Sequence, residues 1–291
     1  MAKKKITKPK RKSPVKRGKK KKTFWDGYKL SFFVLSILLS IALFYLKSHA
    51  GESDKVVYNN NFEEWALPEP TLDGYSEQII TRKGYTVSYN SDYRNPNWVA
   101  YVLERDEVNA PKIKRSDKFV KDPSVNHSQG GNEDYRRSGY DRGHLAPAAD
   151  MSWSQQTMAE SFYFSNMSPQ KPAFNRGIWK ELEEQVRKWA DRESLLLVAT
   201  GPVLEKDLKR IGPNQVAIPK YFYKVIIDPA GSEKKGIGFV IINEAGNKPL
   251  RSYAVTIDSV ERLTGINFFE AIPDQLEETL EEQLDLSAWK W

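Results

Sequence analysis

Residues 140–147 read Tyr140-Asp141-Arg142-Gly143-His144-Leu145-Ala146-Pro147, the densest run of reactive side chains in the 291-residue chain. The run follows a polar stretch rich in Gly, Asp and Asn (residues 105–140) that reads as a long loop. On an extended backbone alternate side chains share a face, so Arg142 and His144 point the same way. A fixed cation and a titratable base then meet at one spot. That pairing suits phosphodiester hydrolysis, in which the base takes a proton from water and the cation meets phosphate oxygens.

Downstream, Ser165-Asn166-Met167-Ser168-Pro169-Gln170 leads into Phe174-Asn175-Arg176-Gly177. Residues 174–190 have Ile178, Leu182, Val186 and Trp189 at helical spacing and read as one helix. On its wheel Asn175, Glu183 and Arg187 fall within one third of the circumference, beside the apolar stripe. Glu183 and Arg187, four apart, would also make an ordinary surface pair.

Farther out, residues 78–81, 85–89 and 98–103 read as strands, the first two as a hairpin around Lys83-Gly84. Residues 162–164, 194–200, 221–227 and 236–242 are further strand candidates, and 151–161, 257–263 and 274–284 read as helices. In the last of these, Leu276, Leu280 and Leu284 form the inner face and Glu277, Glu278, Glu281 and Glu282 the outer. Strands and helices do not alternate regularly, which predicts an α+β fold. The absence of cysteine excludes disulfide scaffolds and thiol chemistry. With three histidines in all (His49, His127 and His144), metal sites built from several histidines are nearly excluded.

The formal net charge of +7 is unevenly distributed. Residues 1–22 carry 13 Lys/Arg and no acid, whereas residues 51–291 carry a net −7. The tail reads as a self-repelling, unfolded block. Leu30 to Leu46 then runs 17 residues without a charge between Lys29 and Lys47. As a helix it spans roughly 26 Å, and Trp25, Tyr28 and Tyr45 sit where interfacial aromatics belong. The organisation expected is a basic cytoplasmic tail (1–29), a membrane anchor (30–46), a linker (47–74) and a catalytic body (75–291). The alternative is a signal cleaved near Ala50, after the small residues Ser48 and Ala50. In either case the positive-inside rule sends the body out of the cytoplasm, to the periplasmic or extracellular side. The tail, residues 1–22, is left to anionic lipid head groups.

Asp141-Arg142-Gly143-His144 with the downstream Asn175 resembles the signature of the DNA/RNA non-specific endonuclease family. The likeness continues through Ser165 to Gln170 (SNMSPQ), FNRGIWKELE, TGPV at 200–203 and LTGINFF at 263–269. It covers roughly residues 75–272. The resemblance implies a ββα-metal fold with a central, mostly antiparallel sheet flanked by helices. It also implies Mg²⁺ as cofactor, with Mn²⁺ possible, and DNA and RNA as substrates, cut to leave 5′-phosphates. In that pattern His144 is the general base and Asn175 the one direct protein ligand of the metal. Glu183 holds a metal-bound water, Arg142 and Arg187 approach the phosphate, Asn166 supports the site and Asp141 is structural.

The body's acidity means that substrate binding rests on local cations. Candidates are Arg136, Arg137, Arg142, Arg176, Lys180, Arg187 and Lys188, with Arg105, Lys112, Lys114, Arg115, Lys118 and Lys121 from the loop. Two other functions fit the same sequence: a phosphodiesterase for small nucleotides, and a catalytically weak nucleic-acid receptor. The intact His144, Asn175 and Glu183 argue against the second.

Overall fold

Runs of β-branched and aromatic residues form the frame. A computed structural model describes residues 61–69, 77–231 and 233–291. The basic tail, the apolar run at 30–46 and the cleavage position near Ala50 lie outside these. Among the described residues no helix is long and apolar enough to cross a membrane. Within the stretch expected to be linker, residues 62–65 form a short helix that buries Trp65, and the Glu69 amide donates to the Asn267 carbonyl at 2.9 Å.

Seven strands make one antiparallel sheet in the order β1-β2-β3-β6-β9-β10-β11. They are β1 (Glu77–Thr81), β2 (Thr86–Asn90), β3 (Asn95–Glu104), β6 (Leu195–Pro202), β9 (Tyr221–Asp228), β10 (Lys235–Ile242) and β11 (Ala254–Val255). Two smaller antiparallel pairs stand apart: β4 (Asp141–His144) with β5 (Met167–Gln170), and β7 (Arg210–Ile211) with β8 (Val216–Ala217).

The strand period of two decides what covers each face. Ile237, Phe239 and Ile241 of β10 join the core cluster that contains helix α1 (Ile178–Glu193), with Phe239 stacked 6.3 Å from Trp189. Gly236 and Gly238 point the other way, towards Ile257 and Val260 of helix α2 (Ile257–Thr264) and Leu280 of helix α3 (Asp274–Glu282). At those two positions glycine lets the helices approach the strand closely. The chain end returns to α1, where the Trp189 indole donates to the Lys290 carbonyl at 2.8 Å and Trp289 packs 4.7 Å from its ring.

Four expectations need correction. The helix read over 174–190 is two: a short one, Pro172–Asn175, and α1, with Gly177 as the N-cap of the second. A Cβ at Gly177 would collide with the Ala173 carbonyl, so the sharp restart requires glycine. Asn175 therefore does not share a helix with Glu183 and Arg187, and the wheel argument fails for it. Residues 162–164 are not a strand but a turn entering a 3₁₀ helix at Phe164–Asn166, with Tyr163 bridged to Val120. The segment 105–140 is mostly irregular yet includes short helices at Arg105–Asn109 and Asn132–Tyr135. Glu281, expected to face solvent, is only 6% exposed.

Candidate active site

Strand β4 carries Arg142 and His144, and one neighbour confirms that they share a face. The Arg142 guanidinium lies 4.1 Å above the Phe119 ring, and the His144 ring meets the same Phe119 edge-on at 5.6 Å. Gly143 between them faces Gln170 on β5, where a Cβ would overlap that buried side chain. The imidazole also packs against Phe162 at 4.8 Å, and its Nε2 has no hydrogen-bond partner among the described residues. Burial among these rings, helped by Arg115 and Arg142, pushes the His144 pKa down to about 3. The ring is therefore neutral across the physiological range, and a neutral imidazole can accept a proton.

Asn166 fixes the backbone just beyond His144. Its Oδ1 accepts from the Ala146 amide at 2.9 Å, and its Nδ2 donates to the carbonyls of Ala146 (2.9 Å) and Ser161 (2.8 Å). With the Leu145 amide bonded to the Asn166 carbonyl, the exit of β4 is locked. Asn166 is fully buried and does not reach solvent.

Asp141, at the other end of β4, accepts from Asn175 Nδ2 at 3.0 Å and from Arg176 Nε and Nη2 at 2.8 and 2.7 Å. Burial favours the protonated form of this carboxyl, but the hydrogen bonds from Arg176 and Asn175 hold it below the usual carboxylate range. An ionised carboxylate only accepts, so the Asn175 amide must turn its NH₂ to Asp141 and its oxygen away. Arg176 is committed to Asp141 and is not a free phosphate contact.

On α1, Trp179, Glu183 and Arg187 stand one turn apart along one row. Arg187 donates to Asp150 at 2.6 Å, and Asp150 also accepts from the Tyr101 hydroxyl at 2.9 Å. Glu160, another carboxylate near this region, is taken by Gln156 and the Lys83 amide. Each carboxylate oxygen of Asp150 and of Glu160 thus already accepts a hydrogen bond. Glu183 is half-buried, and burial raises its carboxyl above the usual range, opposed first by Lys224. Among the described residues, the close-set carboxylate cluster is elsewhere, at Asp258, Glu261 and Glu281 on α2 and α3.

Beside the Glu183–Arg187 row runs a groove of about 640 Å³. Ile113, Ala148, Ala149 and Met158 give it apolar walls, and Lys112, Arg115, Arg187 and Lys188 give it cations.

The sequence profile of the DNA/RNA non-specific endonuclease family matches residues 66–275. The chain belongs to that family. It is 36% identical to human mitochondrial endonuclease G over 205 residues, 66% of this chain and 69% of that protein. It is 34% identical to mitochondrial nuclease 1 of Schizosaccharomyces pombe over 247 residues, 77% and 75% of the two. A crystal structure of an EndoG/EndoGI complex superposes with a TM-score of 0.64 at 35% identity, covering 72% of this chain and 90% of that one.

Two cations that act on His144 or Glu183 in this endonuclease are not distinguished by the sequence pattern alone. Arg115 was one cation among many in the loop; its charge bears on both His144 and Glu183, and it rests 4.9 Å from the Phe162 ring. Lys224 lies inside an apolar strand, YFYKVIID, on the same side as Phe222 and Ile226. A lysine at a core position of a strand was the available signal. By contrast, Arg105 is spent on the carbonyls of Asp191 and Arg192 at the end of α1. His127 is exposed.

Proposed function

We propose that this endonuclease is metal-dependent and cuts DNA and RNA without a recognition sequence, leaving 5′-phosphates. The observation that carries the reading is a convergence. A neutral, ring-packed His144 lies beside the cations Arg115 and Arg142, at one end of a strand whose other end, Asp141, holds the Asn175 amide by its NH₂ and leaves its oxygen free to take another partner. His144 takes the proton from the attacking water, and Arg142 meets the non-bridging phosphate oxygens; Arg115, whose Nε is paired with Asp117 at 2.7 Å, has its two Nη groups left to offer them.

The donor set fits a hard divalent ion. Asn175 Oδ1 would hold Mg²⁺ (or Mn²⁺), with Glu183 acting through water and the remaining positions left to water and substrate. When bound, such an ion stabilises the charge that develops on the leaving 3′ oxygen. Asp141 keeps the Asn175 amide in register, and Asn166 keeps His144 in register. Arg187, tied to Asp150, lines the groove together with Lys112 and Lys188. The groove's apolar walls and its four cations, set against the carboxylates Glu184 and Asp191, suit the strand on one side of the cut.

A body of net charge −7 has no broad basic face. Recognition through a few phosphates carries little sequence information and weakens as salt rises. End-mapping of fragments from random-sequence DNA and RNA, at about 50 and 200 mM salt, tests this. We expect 5′-phosphate ends, scattered cut sites and slower cleavage at the higher salt. A fixed motif at the cut sites or 3′-phosphate ends would refute the reading.

The basic tail and apolar run support a single-pass anchor that holds the body outside the cytoplasm, with residues 1–22 on anionic head groups. Protease digestion of spheroplasts, in which both a periplasmic and an extracellular body are accessible, followed by detection of the body, checks that topology. A protected body would contradict it.

A further inference from the structure

Lys224 is fully buried, and its Nζ has no hydrogen-bond acceptor among the described residues. An ammonium in that position is expensive unless a charge compensates it. It stands 5.1 Å from the centre of the Trp179 ring, on the face of β9 that packs against α1. Trp179 is one helical turn from Glu183, and Glu183 one turn from Arg187. The charges along this row alternate in sign: Lys224, Glu183, Arg187, then Asp150. Asp150 and Arg187 satisfy one another at 2.6 Å, and Asp141 is satisfied by Arg176. Glu183 stands in neither pair. Of the charges that act on Glu183, Lys224 has the largest effect, and the converse also holds.

We propose that Lys224 is a positioning residue for the reaction: its buried ammonium holds the Glu183 carboxylate inward, at the metal side of the cleft, instead of letting it swing to solvent. The strand supplies the rigidity. Lys224 is in register with Thr200 on one side and Phe239 on the other, in the interior of the seven-stranded sheet. Its stem is packed, and the indole below limits where the charge can go. A glutamate on the helix surface has three soft torsions. A fixed cation behind it removes most of that freedom. The proposal rests on the endonuclease reading only for its consequence in rate; the Lys224–Glu183 coupling stands or falls separately.

A double-mutant cycle in the full-length chain, read as single-turnover plasmid nicking, tests it. Lys224→Met keeps the length of the stem and removes the charge. In the wild-type background the rate should fall by about tenfold or more, the scale of losing a supporting partner of a metal site. In the Glu183→Gln background the same change should cost less than about twofold, because residues that act through one another are not additive. A merely structural lysine would cost the same factor in both backgrounds, and that result, or no loss in wild type, overturns the proposal. Should Lys224→Met fail to fold, a measurement without any change at 224 decides. In protein carrying ¹³Cε-labelled lysine, Lys224 is, among the described residues, one of three lysines set over a tryptophan ring, and Lys83→Arg and Lys235→Arg variants identify the signals of the other two and so leave that of Lys224. Glu183→Gln should shift that signal, while Glu181→Gln, an exposed change on the same helix, should leave it in place. An unmoved signal overturns the proposal. If wild type does not cut plasmid but the signal moves, the endonuclease reading fails and the pairing survives.

Discussion

Two groups of carboxylates in this molecule are built from the same residue types and meet opposite fates. At the cleft, Asp141 is paired with Arg176 and Asp150 with Arg187, while Glu183 stands in neither pair and Lys224 is the cation that most opposes the rise in its pKa. On α2 and α3, the ligand atoms of Asp258, Glu261 and Glu281 lie within 4.8 Å of one another, and among the described residues Arg262 is the one cation paired there, at 3.3 Å from Asp258. Burial, then Glu261 and Glu277, push the Glu281 carboxyl up to about 9, and one of its oxygens has no hydrogen-bond partner among the described residues. The comparison teaches that burial alone does not make a functional acid. A carboxylate that must keep its charge and its place has a cation built opposite it; one without such a cation is left to hold a proton.

The largest expected effect is at the base. His144→Ala should lower turnover by about 10² to 10⁴ while leaving the melting temperature near that of wild type. His127→Ala, at an exposed site, should leave the rate unchanged. Retention of half the activity by the first variant would remove His144 from its role.

The paired side of the comparison is sharpened at Asn175 and Asp141. Asn175→Ala should raise the Mg²⁺ concentration for half-maximal rate sharply. Asp141→Ala should raise it less, since the oxygen remains but its aim is lost. Equal half-saturation in both variants and wild type would show that the ion is held elsewhere.

Acid stability probes the buried imidazole. Its pKa is lower in the folded chain (about 3) than in the unfolded one (about 6.5). The unfolded state therefore binds more protons between those values, and stability falls as pH drops through that window. From pH 7 to 5 the contribution lost is about 2 kcal/mol. Between pH 7 and pH 5 the urea midpoint should fall further for wild type than for His144→Gln; parallel curves would contradict the burial argument.

The smallest effect belongs to the unpaired group. The folded-state pKa of Glu281 is raised, so its contribution to stability is present below its unfolded value and is lost as pH rises towards about 9. Glu281→Gln, neutral and of the same shape, should raise the melting temperature at pH 8 by roughly 2–4 °C, about 1 kcal/mol for a domain of this size. A drop at pH 8 would mean that the charge is compensated after all.

Much of the frame was legible because its signals are local. Strands β1, β2, β3, β6, β9 and β10 lie within a few residues of the apolar runs that mark them, and the α1 stripe survives at Ile178, Leu182, Val186 and Trp189. The same-face placement of Arg142 and His144 followed from strand geometry alone. The break at Gly177 was hidden because Phe174 and Ile178 keep helical spacing across it. Glu281 read as outward because the face of α3 that meets α2 is set by tertiary packing. Arg115 and Lys224 needed three dimensions: one joins the cleft from a long loop, and the other crosses from the central sheet to the row of Glu183.

The account's central claim is that His144 and an ion held at Asn175 together cut the phosphodiester. Nicking of supercoiled plasmid by the full-length chain, titrated with Mg²⁺ for wild type, His144→Ala and Asn175→Ala, tests it directly. The expected result is no cutting in chelator, saturable cutting by wild type, activity of Asn175→Ala only at raised Mg²⁺, and near silence of His144→Ala at every concentration. Cutting in chelator, or cutting by His144→Ala at half the wild-type rate, would contradict the account.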